Sequence, residues 1–174
     1  LLEAYDAGKQ AAKEVSSLKN IKMAFVYSSV SYDQNQLLQS IKEELGDIPL
    51  IGNTSFTGVI TDSGWVGGNN GFVGIMALSD DELNVGIAGL AKEKSARETG
   101  RKVAKLALEN AGMHTAPDYF YMVAPPGEEE MYLKGISDVI GRVPLFGGSA
   151  ADNTITGEWL LYTCLLYTSP SPRD

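Results

Sequence analysis

Two clusters of small polar residues are the best candidates for chemistry in this chain. Asn53, Thr54, Ser55 and Thr57 stand just before Gly58; Gly147, Gly148, Ser149 and Asp152 stand at a matching place later on. Amide and hydroxyl side chains donate and accept hydrogen bonds without carrying charge, and glycine leaves backbone N–H groups open to a ligand. Asp152 adds a carboxylate able to meet an ammonium group. Together these groups suit a small zwitterion such as an amino acid. Ser29, in the earlier loop Ser28 to Tyr32, is the remaining candidate contact. Each residue also has a plainer assignment, because Asn, Thr and Ser cap turns and Asp152 can cap the segment after it.

Other chemistries find less support. His114 is the only histidine and lies beside Met113 in a loop; as an axial haem ligand it has no visible second ligand. Ser149 lacks the Gly-x-Ser-x-Gly frame of a nucleophile elbow. Glu128, Glu129 and Glu130 read as the acidic first turn of a helix, favourable at its positive end, and consecutive helical positions diverge too far to share a metal. Gly67-Gly68 is followed by neither a Gly-Lys-Ser/Thr nor a complete Gly-x-Gly-x-x-Gly, so it is no phosphate loop. The expectation is a non-enzymatic protein with no cofactor and no metal.

The elements that position the two clusters form an internal repeat. At a constant offset of 95, Phe25 falls on Phe120, Leu38 on Leu133, Ile41 on Ile136, Gly46 on Gly141, Pro49 on Pro144, Leu50 on Leu145 and Gly52 on Gly147. Each copy reads as an apolar strand, a polar loop, an amphipathic helix closed by a glycine, and a short strand led by proline. The first copy has its strand at Ile21 to Tyr27 and its helix from the Asp33 N-cap to Leu45. The second has them at Tyr119 to Val123 and Glu128 to Ile140, with the returning strand at Val143 to Phe146. Helices are also predicted over Glu3 to Leu18 and from the Ser95 N-cap to Asn110. Between the copies, Gly58 to Thr61, Phe72 to Leu78 and Leu83 to Ala91 read as strands. Trp65 to Gly71 reads as a turn with an Asn70-Gly71 hairpin signal, and Trp159 to Tyr162 starts a further strand. The fold class is α/β: repeated strand–helix–strand units in a mixed sheet with an antiparallel hairpin extension. In such sheets ligands bind at the carboxyl ends of strands, where both polar clusters fall.

Composition narrows the partners. The 174 residues carry a net charge of -8, which disfavours nucleic acid and anionic membrane surfaces. No apolar run approaches the ~20 residues needed to span a bilayer. The lone Cys164 excludes an internal disulfide framework. Residues 164–174 resemble a translated sequencing adapter, with a Ser/Pro-rich linker as the alternative. That assigns one domain to residues 1–163, incomplete at both ends.

These motifs resemble the N-terminal part of the FIST domain family. The likeness rests on the helix Ala4 to Val15, the strand Met23 to Ser28, Ile48 to Ser55 with Gly58, and Val143 to Asp152. It implies a cytoplasmic bacterial sensory module in signal transduction that binds a small ligand such as an amino acid. It further implies a C-terminal FIST region and a downstream partner such as a histidine kinase or other output domain. Alternatives are a haem-based nitric oxide sensor using His114 and a protein-interaction module without a small ligand. The ligand contacts expected are Ser29, Asn53, Thr54, Ser55, Thr57, Gly58, Gly147, Gly148, Ser149 and Asp152.

Overall fold

The computed structural model describes residues 3–68, 71–163 and 166–168, the last three for their backbone alone. Among the described residues four helices, α1 (Ala4–Val15), α2 (Gln34–Leu45), α3 (Ala96–Asn110) and α4 (Glu129–Ile140), accompany nine strands. The strands are β1 (Ile21–Ser28), β2 (Leu50–Thr54), β3 (Gly58–Thr61), β4 (Gly64–Gly67), β5 (Val73–Ser79), β6 (Phe120–Ala124), β7 (Leu145–Ser149), β8 (Leu161–Thr163) and β9 (Leu166–Thr168). A mixed five-stranded sheet runs β5-β1-β2-β8-β9, while β3-β4 and β6-β7 form separate two-stranded sheets. The α/β class and the repeated units are as expected.

The repeat is structural. β1 and β2 are parallel, and so are β6 and β7. Gly46 and Gly141 close the equivalent helices α2 and α4 with φ 79° and 74°, a conformation in which a Cβ would be strained. Pro49 O accepts from Ala24 N–H at 2.9 Å and Pro144 O accepts from Phe120 N–H at 3.1 Å, opening each ladder alike. One correction follows from register. Val26 lies opposite Gly52 and Met122 opposite Gly147, so the first strands are related by 96 residues and the rest by 95. The structural counterpart of Phe25 is therefore Tyr121, not Phe120, because the loop after β6 is one residue shorter. These two counterparts touch, with ring centroids 4.7 Å apart, edge to face. Beside them the Tyr27 and Tyr121 hydroxyls are 2.6 Å apart. Burial and then this hydrogen bond raise the Tyr121 pKa.

The repeat also includes the leading helices, which the constant offset concealed. Ala4, Gly8 and Ala12 correspond to Ala96, Gly100 and Ala104 at an offset of 92. In both pairs a glycine lets two helices cross closely. A Cβ on Gly8 would lie 2.6 Å from Leu37 O, and one on Gly100 would lie 2.5 Å from the equivalent Tyr132 O. Such small-residue crossings exclude water and fix the helix pairs. Asp138 on α4 joins this second pair further, accepting from Arg97 at 2.8 and 2.9 Å and from Arg101 at 2.7 Å. These bonds, first from Arg97, hold its carboxyl at about 2.

The main core lies under α1 and α2, where Val26, Leu37, Ile41, Leu50 and Tyr162 are buried together. Two expectations between the units are corrected. Trp65 to Gly67 is strand rather than turn: the chain reverses at Asp62-Ser63, and Trp65 pairs with Ile60. Residues 83–91 join no sheet ladder. Asn84 Nδ2 donates to Ala111 O at 3.0 Å and Asn110 Nδ2 donates to Ile87 O at 2.7 Å, while Gly86 abuts Ala107. The segment docks on the end of α3 instead of a strand. The Asn70-Gly71 signal falls partly, and the tail 164–174 mostly, outside the described residues.

Candidate functional site

The carboxyl ends of β1, β2 and β6 converge with the loop after β7. Ser55 N–H donates to Ser28 O at 3.0 Å, Ala151 N–H to Thr54 O at 2.9 Å and Ala150 N–H to Ala124 O at 3.1 Å. Thr54 is the joint between them. Its hydroxyl donates to Ala151 O at 2.7 Å and accepts from Leu160 N–H at 2.9 Å, and its own N–H donates to Leu160 O at 3.0 Å. Ser29 is buried; its N–H donates to Phe72 O and its hydroxyl accepts from Ser31 N–H at 3.2 Å. Asn53 Nδ2 donates to Thr54 O, and Ser55 Oγ donates to Gly58 O. Thr57, with φ 55°, turns the chain into the strand that Gly58 starts. Local bonding thus engages the Ser29, Thr54 and Ser55 hydroxyls and the Asn53 amide nitrogen.

Asp152 holds its own loop together. It is buried, and its carboxylate accepts from Thr154 N–H at 3.1 Å, Thr156 at 3.3 Å, Gly157 at 2.7 Å and Glu158 at 2.8 Å, with a further short bond from Ile155. Burial pushes its pKa up, but those N–H donors, led by Glu158 and Gly157, outweigh it and leave the pKa lowered. A carboxylate so enclosed organises its loop, the capping assignment that the sequence also allowed. Gly147, Gly148 and Ser149 are not brought to this seam. They lie exposed in β7, where Ser149 Oγ donates to Glu129 Oε1 at 2.5 Å and Gly127 N–H donates to Glu129 Oε2 at 2.8 Å. The Ser149 bond is the largest cause of a lowered Glu129 pKa.

Beside the seam lies a cavity of about 800 Å³ built from both units. Ile51, Gly52 and Tyr162 line it from the first sheet; Gly100, Val103, Met122 and Tyr132 line it from the second unit. Ala88 to Lys92 cover one side, and Thr156, Gly157 and Trp159 close another. The expected contact residues do not line it, but Asp152 shapes its wall through the Thr156 and Gly157 N–H groups. Lys92 and Glu128, both lining residues, form an ion pair. Among the described residues, Trp159 Nε1 and Asn153 Oδ1 are buried without a partner, and both belong to the Asp152 loop. Buried polar atoms are normally satisfied; of these two, Trp159 belongs to a residue that lines the cavity and Asn153 does not. The signal in the sequence was the small-residue run Gly86, Ala88, Gly89 and Ala91, whose apolar character read as a strand.

Residues 22–169 match the family described as FIST N domain. The chain belongs to that family. No curated protein matches it. FIST N domains are sensory, which places this chain in signal transduction. No helix among the described residues is long and apolar enough to cross a membrane. Among those residues no group of three or more His, Cys, Asp or Glu is placed to hold a metal. His114 is exposed in the loop after α3 and lines no part of the cavity.

Proposed function

We propose that this FIST N domain senses a small organic ligand, an amino acid or related metabolite, in the cavity between its two units. The observation that carries this reading is a cavity with walls from both halves, apolar over most of its lining, beside an unpartnered indole N–H and an ion pair. Apolar walls with a few placed polar groups are the usual form of a small-molecule site. A zwitterion's carboxylate would take Lys92 and its ammonium Glu128, exchanging with the existing pair. Because the ligand touches both units, it favours whichever arrangement of the halves encloses it better, which is what a signal requires. The polar seam at the strand ends then acts as the joint and not as the binding surface. The reading is cytoplasmic and non-catalytic, with output through a downstream partner such as a histidine kinase.

A thermal-shift screen with free amino acids and related metabolites tests it. Ligand at ~100 times its Kd adds ~2.7 kcal/mol, a rise of several degrees at this size. A flat response from folded protein across the screen contradicts the proposal. An interaction module without a ligand is then favoured by the exposed Phe56, Ile60 and Trp65 on and beside the β3-β4 hairpin.

A further inference from the structure

The two units differ at one edge. In the first, β8 lies antiparallel on the outer edge of β2, with Tyr162 directly opposite Gly52. A Cβ on Gly52 would sit 2.3 Å from the Tyr162 ring, so the missing side chain is what lets the ring cross. The Tyr162 hydroxyl then donates to the carbonyls of Val26 (3.1 Å) and Asn53 (3.0 Å) and meets Ser28 Oγ at 3.1 Å. In the second unit Gly147 stands where Gly52 does. A Cβ on Gly52 would meet Val26 O at 2.0 Å, and one on Gly147 would meet the equivalent Met122 O at 1.8 Å. The peptide groups that face β8 in β2, those of Leu50, Gly52 and Thr54, correspond to Leu145, Gly147 and Ser149. Among the described residues β7 has β6 as its only ladder partner, and all of its residues are exposed.

We propose that the outer edge of β7 receives an extended strand from another protein chain, antiparallel, with an aromatic residue opposite Gly147. Strand addition draws its affinity from main-chain hydrogen bonds and its selectivity from alternate side chains. Seating on β2 shows which side chain fits: a ring lying across the glycine, with a tyrosine hydroxyl reaching the carbonyls of Met122 and Gly148. Charge gives a second requirement. Arg142, exposed just before β7, has no acidic partner among the described residues. An antiparallel strand centred on Gly147 passes Arg142 with its carboxyl-terminal part. The partner is therefore a strand with an aromatic residue followed, a few positions on, by an acid. Leu145 and Phe146, 48% and 59% exposed, supply apolar surface along the same strand. This inference does not depend on a ligand in the cavity.

The chain's own β8 segment, which already carries the aromatic feature, is the probe. A synthetic peptide of residues Gly157–Thr163 extended by Gly-Ser-Gly-Glu, which brings the acid opposite Arg142 in that register, is titrated into the full 174-residue protein, with amide exchange followed residue by residue. The expected result is slowed exchange at Leu145, Gly147 and Ser149. The same peptide carrying Tyr162→Ala should bind roughly tenfold more weakly, and Arg142→Gln in the protein should weaken the intact peptide by a smaller factor. Unchanged exchange across β7 at saturating peptide overturns the proposal. So does protection confined to β2, where the peptide would merely replace β8, or equal binding by the two peptides.

Discussion

Leu50 and Leu145 occupy the same place in the two units, yet Leu50 is 7% exposed and Leu145 is 48% exposed. Both strands follow the same helix–glycine–proline sequence and both pair in parallel with an equivalent partner. What differs is the neighbour. β8 closes the edge of β2, and Tyr162 completes a core with Val26, Leu37 and Ile41. β7 has no such cover among the described residues. A repeated strand–helix–strand unit thus specifies its own backbone, while its neighbours decide whether the second strand is core or edge.

That contrast can be broken most severely at Tyr162. Its replacement by alanine removes a ring from the core and leaves two carbonyls without their hydroxyl donor; chemical denaturation should show a loss of about 3–5 kcal/mol. The leucine pair sharpens the comparison. Leu50→Ala should cost about 2–5 kcal/mol by the same assay and Leu145→Ala less than about 1. Equal losses would mean that the two strands share one environment.

The Asp152 loop gives a pH-dependent test, because its counterpart at the other turn is Thr57. The folded-state pKa of Asp152 is lowered, so its contribution is complete above the unfolded value near 4 and is lost as pH falls through the folded value. Asp152→Asn should remove about 1.5–3 kcal/mol at neutral pH and flatten the acid limb of a stability–pH curve. An unchanged acid limb would mean that other carboxylates govern it. The smallest effects concern a similarity. Gly8→Ala and Gly100→Ala each push a Cβ onto a facing backbone carbonyl, so each should cost about 1–3 kcal/mol. Markedly unequal values would deny the equivalence of the two helix crossings.

Much of this fold was legible in the sequence because its signals are local. Asp33 and Ser95 cap their helices as read, with Asp33 accepting from Asn35 and Gln36 N–H and Ser95 from Glu98 N–H. Gly46 and Gly141 end theirs. The leading-helix repeat is hidden in the sequence because its 92-residue spacing differs from that of the strands, and Ala-Gly-Ala spacing is a weak signal without the facing helix. Residues 83–91 misled because an apolar alternation shows that a segment is half-buried and not what buries it. The proposed site is the hardest part to read from sequence. Strand-end polar residues mark where a ligand commonly lies, but Thr54 and Asp152 turned out to bond their own surroundings. The cavity, by contrast, is assembled from distant small and apolar residues whose role exists only once both units are packed together.

The chain's two tryptophans test the central claim most directly. Trp159 lines the cavity with its indole N–H unpartnered among the described residues, whereas Trp65 is 62% exposed on the hairpin. Two indole signals should therefore appear in a ¹⁵N spectrum of the uniformly labelled protein. Adding a mixture of free amino acids and related metabolites should move the Trp159 signal and leave that of Trp65 in place. A response at Trp65 alone, or none at either while the mixture raises Tm, would contradict a binding site between the two units.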